Sequence, residues 1–199
     1  MKRIELSVSP NSPNFIGAWK LEPTNFCDDL IDYFEDNKSL HKKGETGQGI
    51  KQEVKRSTDI TIQPKQLKSL GNEVLNSYLE KLLICYEDYI KQWPFLSQFL
   101  NKVHISSFNM QRYYHGDHFK MVHSERMGLD TSHRLFAWMT YLSDVESGGE
   151  TEFSHYGIQI KPKKGKTLIW PSEWTHAHCG NVLNSGVKYI ITGWMHFPN

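Results

Sequence analysis

The stretch "RLFAWMTYLSDVESGGETEF", residues 134–153, decides how the second half of the chain is interpreted. It begins with a run in which aromatic and aliphatic residues predominate, as is typical of a β-strand. The pair Gly148-Gly149 follows, and such pairs mark turns because glycine adopts backbone angles that other residues avoid. A second β-like run begins directly after the glycines. The stretch therefore predicts two strands joined by a turn.

Short β-like runs continue on both sides of this stretch, from about residue 103 to the C-terminus. Further turn signals separate them, namely His115-Gly116, Lys164-Gly165 and Asn184-Ser185-Gly186. The runs are "VHISSFNMQRYY", "RLFAWMTYLSDV", "TEFSHYGIQIKP", "GKTLIWPS", "WTHAHCGNV" and "VKYIITGWMHF". Six or more strands at this spacing predict a sandwich or a barrel.

The first hundred residues have a different pattern. Residues 22–36 and 67–93 show helical periodicity, and Pro94 ends the longer helix. Residues 59–64 alternate like a short strand, whereas residues 37–57 are rich in glycine and basic residues and predict a mobile loop. Helices followed by strands indicate an α+β fold built as one unit. We therefore expect a single domain over residues 1–199, in which residues 1–100 supply helical support and a substrate loop.

Composition restricts the classes of function. The chain has 199 residues, 38% of them hydrophobic, and a formal net charge of +1, which gives no global signature of a nucleic-acid binder. The three cysteines, Cys27, Cys85 and Cys179, are odd in number and widely spaced, so they indicate reduced thiols. The N-terminus lacks the apolar core of a signal peptide, and no apolar run reaches 18 residues. We expect a cytoplasmic protein with no membrane association.

The segment "FKMVHSE", residues 119–125, is a candidate for a metal site. On a strand, residues two apart point to the same side, so His123 and Glu125 could reach one ion together. A third ligand would come from "WTHAHCG", which contains His176 and His178. Two histidines and a carboxylate form the facial triad of non-haem Fe(II) oxygenases, although a zinc hydrolase could use similar ligands.

A lone lysine on the last strand is a second candidate. Lys188 lies in an otherwise apolar run, and burying its charge without a partner is costly. Capture of a carboxylate would explain the lysine. The alternative is an ordinary side chain that extends to the surface from the end of a strand.

Four segments, taken in order, resemble the prolyl 4-hydroxylase-like branch of the 2-oxoglutarate/Fe(II) dioxygenases over residues 104–197. They are "QRYYHGDHFKMVHSE", "RLFAWMTYLSDVESGGETEF", "IKPKKGKTLIWP" and "HCGNVLNSGVKYIITGW". The second matches the family pattern most specifically, and the ordered set is a stronger signal than any one piece. The resemblance implies a double-stranded β-helix, that is a cupin-like jelly-roll barrel, over residues 101–199, supported by the N-terminal helices.

The resemblance also implies a set of iron ligands, namely His123, Glu125 and His178. His178 is preferred to His176 because the family places its basic residue nine or ten positions after the distal histidine, where Lys188 stands here. The family's usual carboxylate is aspartate, so Glu125 departs from the pattern by one methylene. The residue is still a carboxylate that can bind iron.

Co-substrate residues follow from the same resemblance. Lys188 and the hydroxyl of Tyr141 would bind the C5 carboxylate of 2-oxoglutarate, and Tyr113 would line the pocket of the co-substrate and iron. Thr192 and Trp194 would be pocket lining or core. The implied cofactor is Fe(II), the implied co-substrates are 2-oxoglutarate and O2, and ascorbate is expected to support turnover.

The branch that this chain resembles hydroxylates prolyl residues, so a peptide or protein substrate is the favoured prediction. Other relatives act on free amino acids. Nucleic acid is disfavoured by the near-neutral charge, although the basic loop at residues 38–56 could contact it. The alternative of a different class is a jelly-roll domain that binds a ligand without catalysis, or that holds another metal.

Overall fold

The computed structural model describes residues 1–4, 13–47, 49–68, 71–100 and 102–197. Helix α1 spans Asn25–Asp36 and helix α2 spans Glu73–Gln92. The strands are β1 (Lys2–Arg3), β2 (Gly17–Lys20), β3 (Lys42–Lys43), β4 (Lys55–Arg56), β5 (Thr58–Ile62), β6 (His104–Ile105), β7 (Phe108–Tyr113), β8 (His118–His123), β9 (Arg134–Tyr141), β10 (Thr151–Phe153), β11 (Ile158–Ile160), β12 (Lys166–Pro171), β13 (His178–Gly180) and β14 (Lys188–His196).

Two antiparallel sheets form the body of the protein. The larger sheet has the strand order β1-β2-β12-β9-β14-β7-β5-β3, with β6 paired to one end of β14. The smaller sheet has the order β11-β10-β13-β8-β4. Neighbours in the sheets are mostly distant in sequence, so the fold is closed by long-range pairing rather than by hairpins.

The larger sheet separates two hydrophobic cores. On its outer face, α1 and α2 bury large side chains such as Leu30, Tyr78 and Trp138. On its inner face, a second cluster includes Tyr141 and Phe153 and lies toward the smaller sheet. Because successive residues of a strand face opposite sides, alternate residues of β14 point to the interior between the sheets. This alternation places functional side chains on one face of a strand whose other face anchors the helices.

The element boundaries differ from the prediction in the N-terminal part. Within the segment 22–36, helix α1 begins at Asn25, with Thr24 at its N-cap position. Helix α2 begins at Glu73 rather than at residue 67, and Pro64–Lys68 forms a separate 3-10 turn before it. The prediction of a loop over residues 37–57 was wrong in part. This segment contains β3, which pairs with β5 in the larger sheet, and β4, which pairs with β8 in the smaller sheet. Residues before 100 therefore add strands to both sheets as well as helices.

The predicted turn at Gly148-Gly149 has the backbone that only glycine adopts easily. Gly148 has φ of 77° and Gly149 has φ of 70°. A side chain at Gly148 would also collide with the backbone, because its Cβ would lie 2.3 Å from the carbonyl oxygen of Val182. The turn therefore holds β10 in place against the segment that leads to β14. In the described residues, no helix is both long enough and apolar enough to cross a membrane.

Candidate metal centre

A cavity of about 520 Å³ lies between the two sheets. The smaller sheet contributes His123 and His178, and the larger sheet contributes Tyr113, Lys188 and Trp194. Residues of the N-terminal part, including Lys55 and Asp59, complete the lining. Most of the side chains singled out in the C-terminal sequence thus meet at one cavity, together with side chains that the sequence did not indicate.

Three of the predicted ligands form a compact cluster at this cavity. His123, Glu125 and His178 each offer a ligand atom, and these atoms lie within 4.8 Å of one another. Glu125 Oε1 is 3.3 Å from His178 Nε2 and 4.0 Å from His123 Nε2. The histidines are direct cross-strand partners of β8 and β13. The prediction that Glu125 lies on the same strand as His123 was wrong. Glu125 lies in a bend beyond the end of β8.

The backbone orients both imidazole rings in the same way. His123 Nδ1 lies 2.8 Å from the carbonyl oxygen of Met121, and His178 Nδ1 lies 2.9 Å from the carbonyl oxygen of His176. A carbonyl can only accept, so each Nδ1 carries the hydrogen and donates it. In a neutral ring, Nε2 then carries the free lone pair, and in both histidines Nε2 faces Glu125. Hydrogen bonding of the non-ligating nitrogen in this way is the usual arrangement of metal-binding histidines.

The protonation states suit cation binding. Burial, followed by the charge of His178, lowers the pKa of His123 to about 4, so this ring is neutral at physiological pH. Burial would raise the pKa of Glu125, but His178 and His123, when their rings are protonated, and the indole N–H of Trp194 outweigh burial and lower the pKa to about 2. An ionised carboxylate beside a neutral imidazole is a donor set for a divalent cation. One oxygen and two nitrogen donors fit Fe(II) and would leave further coordination positions for other ligands.

Lys188 lies in the same cavity and forms no ion pair with a carboxylate of the described residues. Its ammonium donates to the carbonyl oxygen of Gly149 at 3.0 Å and lies 4.3 Å from the ring centre of Tyr113. The residue is only 3% exposed. Burial lowers the pKa of Lys188 to about 8, while the charge of Glu150 acts in the opposite direction. A buried cation in contact with only a carbonyl and an aromatic face is suited to receiving an anion.

Tyr141 is placed one layer behind the cavity wall. Its hydroxyl lies 2.6 Å from Thr151 Oγ1 and 3.2 Å from the carbonyl oxygen of Ile160. Thr151 lines the cavity, whereas Tyr141 is not among the lining residues. The predicted bond from Tyr141 to a co-substrate stays a prediction, and in this structure the hydroxyl of Tyr141 contacts Thr151, which lines the cavity. The sequence contains the signal for this residue, since Thr151 follows "GGE" in the most specific segment.

The remaining predicted residues have distinct positions. Tyr113 lines the cavity, and its hydroxyl donates to Gln111 Oε1 at 2.6 Å. Thr192 also lines the cavity, but its hydroxyl donates to the backbone of Trp138. His176 is buried away from the cluster, with Nε2 2.8 Å from the carbonyl oxygen of Asn14. Its backbone oxygen accepts the hydrogen bond from His178, so His176 supports the cluster without joining it.

A buried ion pair that the sequence did not indicate also lines the cavity. Lys55 Nζ lies 2.6 Å from Asp59 Oδ2, and both side chains are 4% exposed. The same ammonium lies 5.5 Å from the ring centre of Phe119, and that ring stacks on His123 at 4.1 Å. Strand β4 thereby connects the N-terminal part of the chain to His123 of the candidate metal site.

Comparison with known families agrees with this geometry. Residues 108–196 match the sequence model of the 2OG-Fe(II) oxygenase superfamily. The chain is 27% identical over 134 residues to a probable prolyl 4-hydroxylase 9 of Arabidopsis thaliana. That match covers 54% of this chain and 46% of the plant protein. The chain thus spans less than half the length of this curated relative.

Solved structures agree in fold over nearly the whole chain. The viral collagen prolyl hydroxylase of Paramecium bursaria Chlorella virus-1, solved with 2OG, superposes with a TM-score of 0.66 at 21% identity and covers 91% of this chain and 95% of its own. A prolyl hydroxylase of Trichoplax adhaerens, solved with a peptide fragment of hypoxia inducible factor, gives a TM-score of 0.69 at 14% identity, with 92% and 84% covered. The predicted α+β jelly-roll fold and the family resemblance are confirmed.

Proposed function

We propose that this chain, whose residues 108–196 match the sequence model of the 2OG-Fe(II) oxygenase superfamily, is an Fe(II)- and 2-oxoglutarate-dependent hydroxylase of a prolyl residue in a peptide or protein. The reaction would convert 2-oxoglutarate, O2 and a substrate C–H into succinate, CO2 and a hydroxylated product. His123, Glu125 and His178 would hold the iron. Fe(II) and 2-oxoglutarate together supply the activation of O2 that protein side chains cannot provide.

One observation carries this proposal: the His-Glu-His cluster and an unpaired buried lysine line the same cavity. A structural metal site would not need the lysine, and a simple anion site would not need the cluster. A small dicarboxylate explains both, because one end can bind a metal while the other binds an ammonium. Lys188 would bind the far carboxylate, and Thr151, held by Tyr141, would add a hydroxyl.

The chain itself orients the reactants and limits the access of water. The hydrogen bonds to the backbone fix both imidazole rings, and Trp194 fixes one oxygen of Glu125. Tyr113 covers the ammonium of Lys188 with its ring, and both residues are buried. Such prior orientation is the main contribution of a protein to cofactor chemistry.

The prolyl substrate is supported by the relatives. The plant relative is named as a probable prolyl 4-hydroxylase, and both structural neighbours are prolyl hydroxylases. One of these was solved with a peptide fragment, which shows that this fold can accommodate a polypeptide.

The three cysteines of this chain are free and buried, which supports a reducing compartment such as the cytoplasm.

The test is succinate formation by anaerobically purified protein given Fe(II), 2-oxoglutarate and ascorbate, followed by exposure to O2. We expect slow uncoupled turnover that proline-containing peptides increase, with the peptide gaining one oxygen by mass spectrometry. His178→Ala should abolish both signals because it removes one of the three ligands. If Zn(II) rather than Fe(II) restores activity to the chelated protein, the proposal is wrong. It is also wrong if neither the Fe(II)-loaded nor the Zn(II)-loaded protein binds 2-oxoglutarate.

A further inference from the structure

The side chain of Glu125 is less restrained by its own backbone than an aspartate on a strand would be. It carries one more methylene, and it lies in a bend rather than on β8, so the strand does not fix its direction. A longer carboxylate on irregular backbone has more rotamers and costs more conformational entropy to order. The carboxylate is nevertheless only 13% exposed and aligned on both histidines. Contacts from elsewhere must therefore hold it.

Two side chains from the larger sheet supply these contacts. Trp194, on β14, donates its indole N–H to Glu125 Oε2 at 2.7 Å. Arg134, at the start of β9, donates from Nη1 to the backbone carbonyl oxygen of Glu125 at 2.9 Å. The guanidinium lies 3.8 Å from the ring centre of Trp194, so the two side chains support each other. Because β9 and β14 are paired neighbours, both groups stand on rigid backbone.

The two carboxylate oxygens consequently have different environments. Oε1 faces the histidines, at 3.3 and 4.0 Å from their Nε2 atoms. Oε2 accepts the indole hydrogen and lies 3.9 Å from the guanidinium of Arg134. An oxygen that accepts a good hydrogen bond is a poorer and less accessible metal ligand. The arrangement favours a metal bound through Oε1 alone.

We propose that Trp194 and Arg134 are positioning residues that hold Glu125 as a ligand through one oxygen, and that this clamp is matched to the length of glutamate. The proposal rests on the proposed function only in requiring that the cluster binds a divalent metal. It extends that function by giving Trp194 more than a lining role. Partners of metal ligands typically change metal affinity by about 10- to 100-fold when they are lost.

The experiment is a titration of the chelated protein with Co(II), followed by its visible absorption spectrum, which reports the number and arrangement of ligands. Trp194→Phe keeps an aromatic ring beneath Arg134 but removes the N–H. We expect Co(II) affinity to fall by about 10- to 100-fold, with a shifted spectrum as Oε2 becomes free. Trp174→Phe is the matched control, because Trp174 is 69% exposed and outside the cavity lining.

A double-mutant cycle with Glu125→Asp separates positioning from packing. The shorter carboxylate cannot reach both the metal and the indole, so adding Trp194→Phe to Glu125→Asp should change Co(II) affinity by less than about twofold. Equal losses in both backgrounds would mean that Trp194 acts through packing and would overturn the clamp, as would an unchanged affinity in Trp194→Phe alone.

A conservative variant tests the second residue of the clamp. Arg134→Lys removes the stacked guanidinium but keeps the charge, and should produce a smaller shift of the same spectrum. A lack of any effect in a folded Arg134→Lys protein would exclude Arg134 from the clamp. If the unmodified protein does not bind Co(II), the metal ligands of the proposed function are wrong and the clamp is overturned with them. Normal binding with no effect of Trp194→Phe overturns the clamp alone.

Discussion

Two buried lysines line the cavity, and their surroundings differ. Lys55, next to the N-terminal strands, lies 2.6 Å from Asp59, which also accepts a hydrogen bond from Ser57 at 2.7 Å. Within the described part of the chain, Lys188, on the last strand, contacts a backbone carbonyl and an aromatic face rather than a carboxylate. Both residues are less than 5% exposed. Similar burial therefore accompanies opposite electrostatic situations.

The difference separates a structural charge from a binding charge. A buried ion pair has no net charge, and its main contribution is to fix the two strands from which its side chains project. An unpaired buried cation costs free energy in the absence of a ligand, and that cost is offset when an anion binds. The pair Lys55–Asp59 joins strand β4 of the smaller sheet to strand β5 of the larger sheet. The charge of Lys188 would be paired when the proposed co-substrate binds.

The largest effect should come from breaking the structural pair. Lys55→Met leaves Asp59 buried without its partner, and we expect the free energy of unfolding to fall by about 3–5 kcal/mol. Urea denaturation measures this change. The double variant Lys55→Met/Asp59→Leu should recover much of the loss, since it removes both charges. A single variant as stable as the unmodified protein would show that the pair does not stabilise the fold.

Lys188→Met should have the opposite effect on stability. It removes an uncompensated charge from the interior, so the protein without ligand should unfold at the same or higher urea concentration. Binding of 2-oxoglutarate should weaken by about 1.5–3 kcal/mol, the usual contribution of a hydrogen bond to a charged group. Calorimetry in the presence of Mn(II) measures the affinity. Unchanged 2-oxoglutarate affinity would exclude Lys188 as the anchor.

The same lysine should make co-substrate binding pH-dependent. The pKa of Lys188 is about 8 in the folded protein, below its ordinary value of 10.5, because of burial. The ammonium binds the carboxylate and is lost as the pH rises through that pKa, so affinity should fall by about tenfold per pH unit above it. Conversely, the unfolding free energy of the protein without ligand should rise between pH 8 and 10.5, since the unfolded chain holds the proton there. Lys188→Met should abolish both slopes, and a slope that persists in this variant would assign the titration to another group.

The smallest effect is expected for Tyr141. Tyr141→Phe removes a hydroxyl that lies behind Thr151, which should cost about 0.5–1.5 kcal/mol of stability. The affinity for 2-oxoglutarate should change much less than in Lys188→Met. A loss as large as that of Lys188→Met would mean that Tyr141 reaches the co-substrate directly, as the sequence predicts.

The sequence predicted the C-terminal half well because that half follows simple rules. Turn residues delimit its strands, and alternation along β14 places Lys188 and Trp194 on one face. The N-terminal half was harder to predict. Strands β3 and β4 have only two residues each, and their basic composition resembles a solvated loop. They are strands only because β5 and β8 lie beside them, which is a long-range effect that local patterns do not contain.

The site shows the same division. The family resemblance selected His178 over His176, and the apolar neighbours of Lys188 drew attention to that lysine. The contacts of Arg134 and of the Lys55–Asp59 pair could not be predicted, because they depend on which strands become neighbours. The contact of Trp194 with Glu125 joins residues 69 positions apart. Only the folded arrangement brings such pairs together.

The most direct test of the site is calorimetry of 2-oxoglutarate binding, under anaerobic conditions, with and without Mn(II), to the unmodified protein, His178→Ala and Lys188→Met. Tight binding that requires the metal and that each variant weakens is the expected result. It would show that the cluster and the lysine bind opposite ends of one ligand. Binding that is absent, or that neither variant nor metal removal changes, would contradict the proposed site.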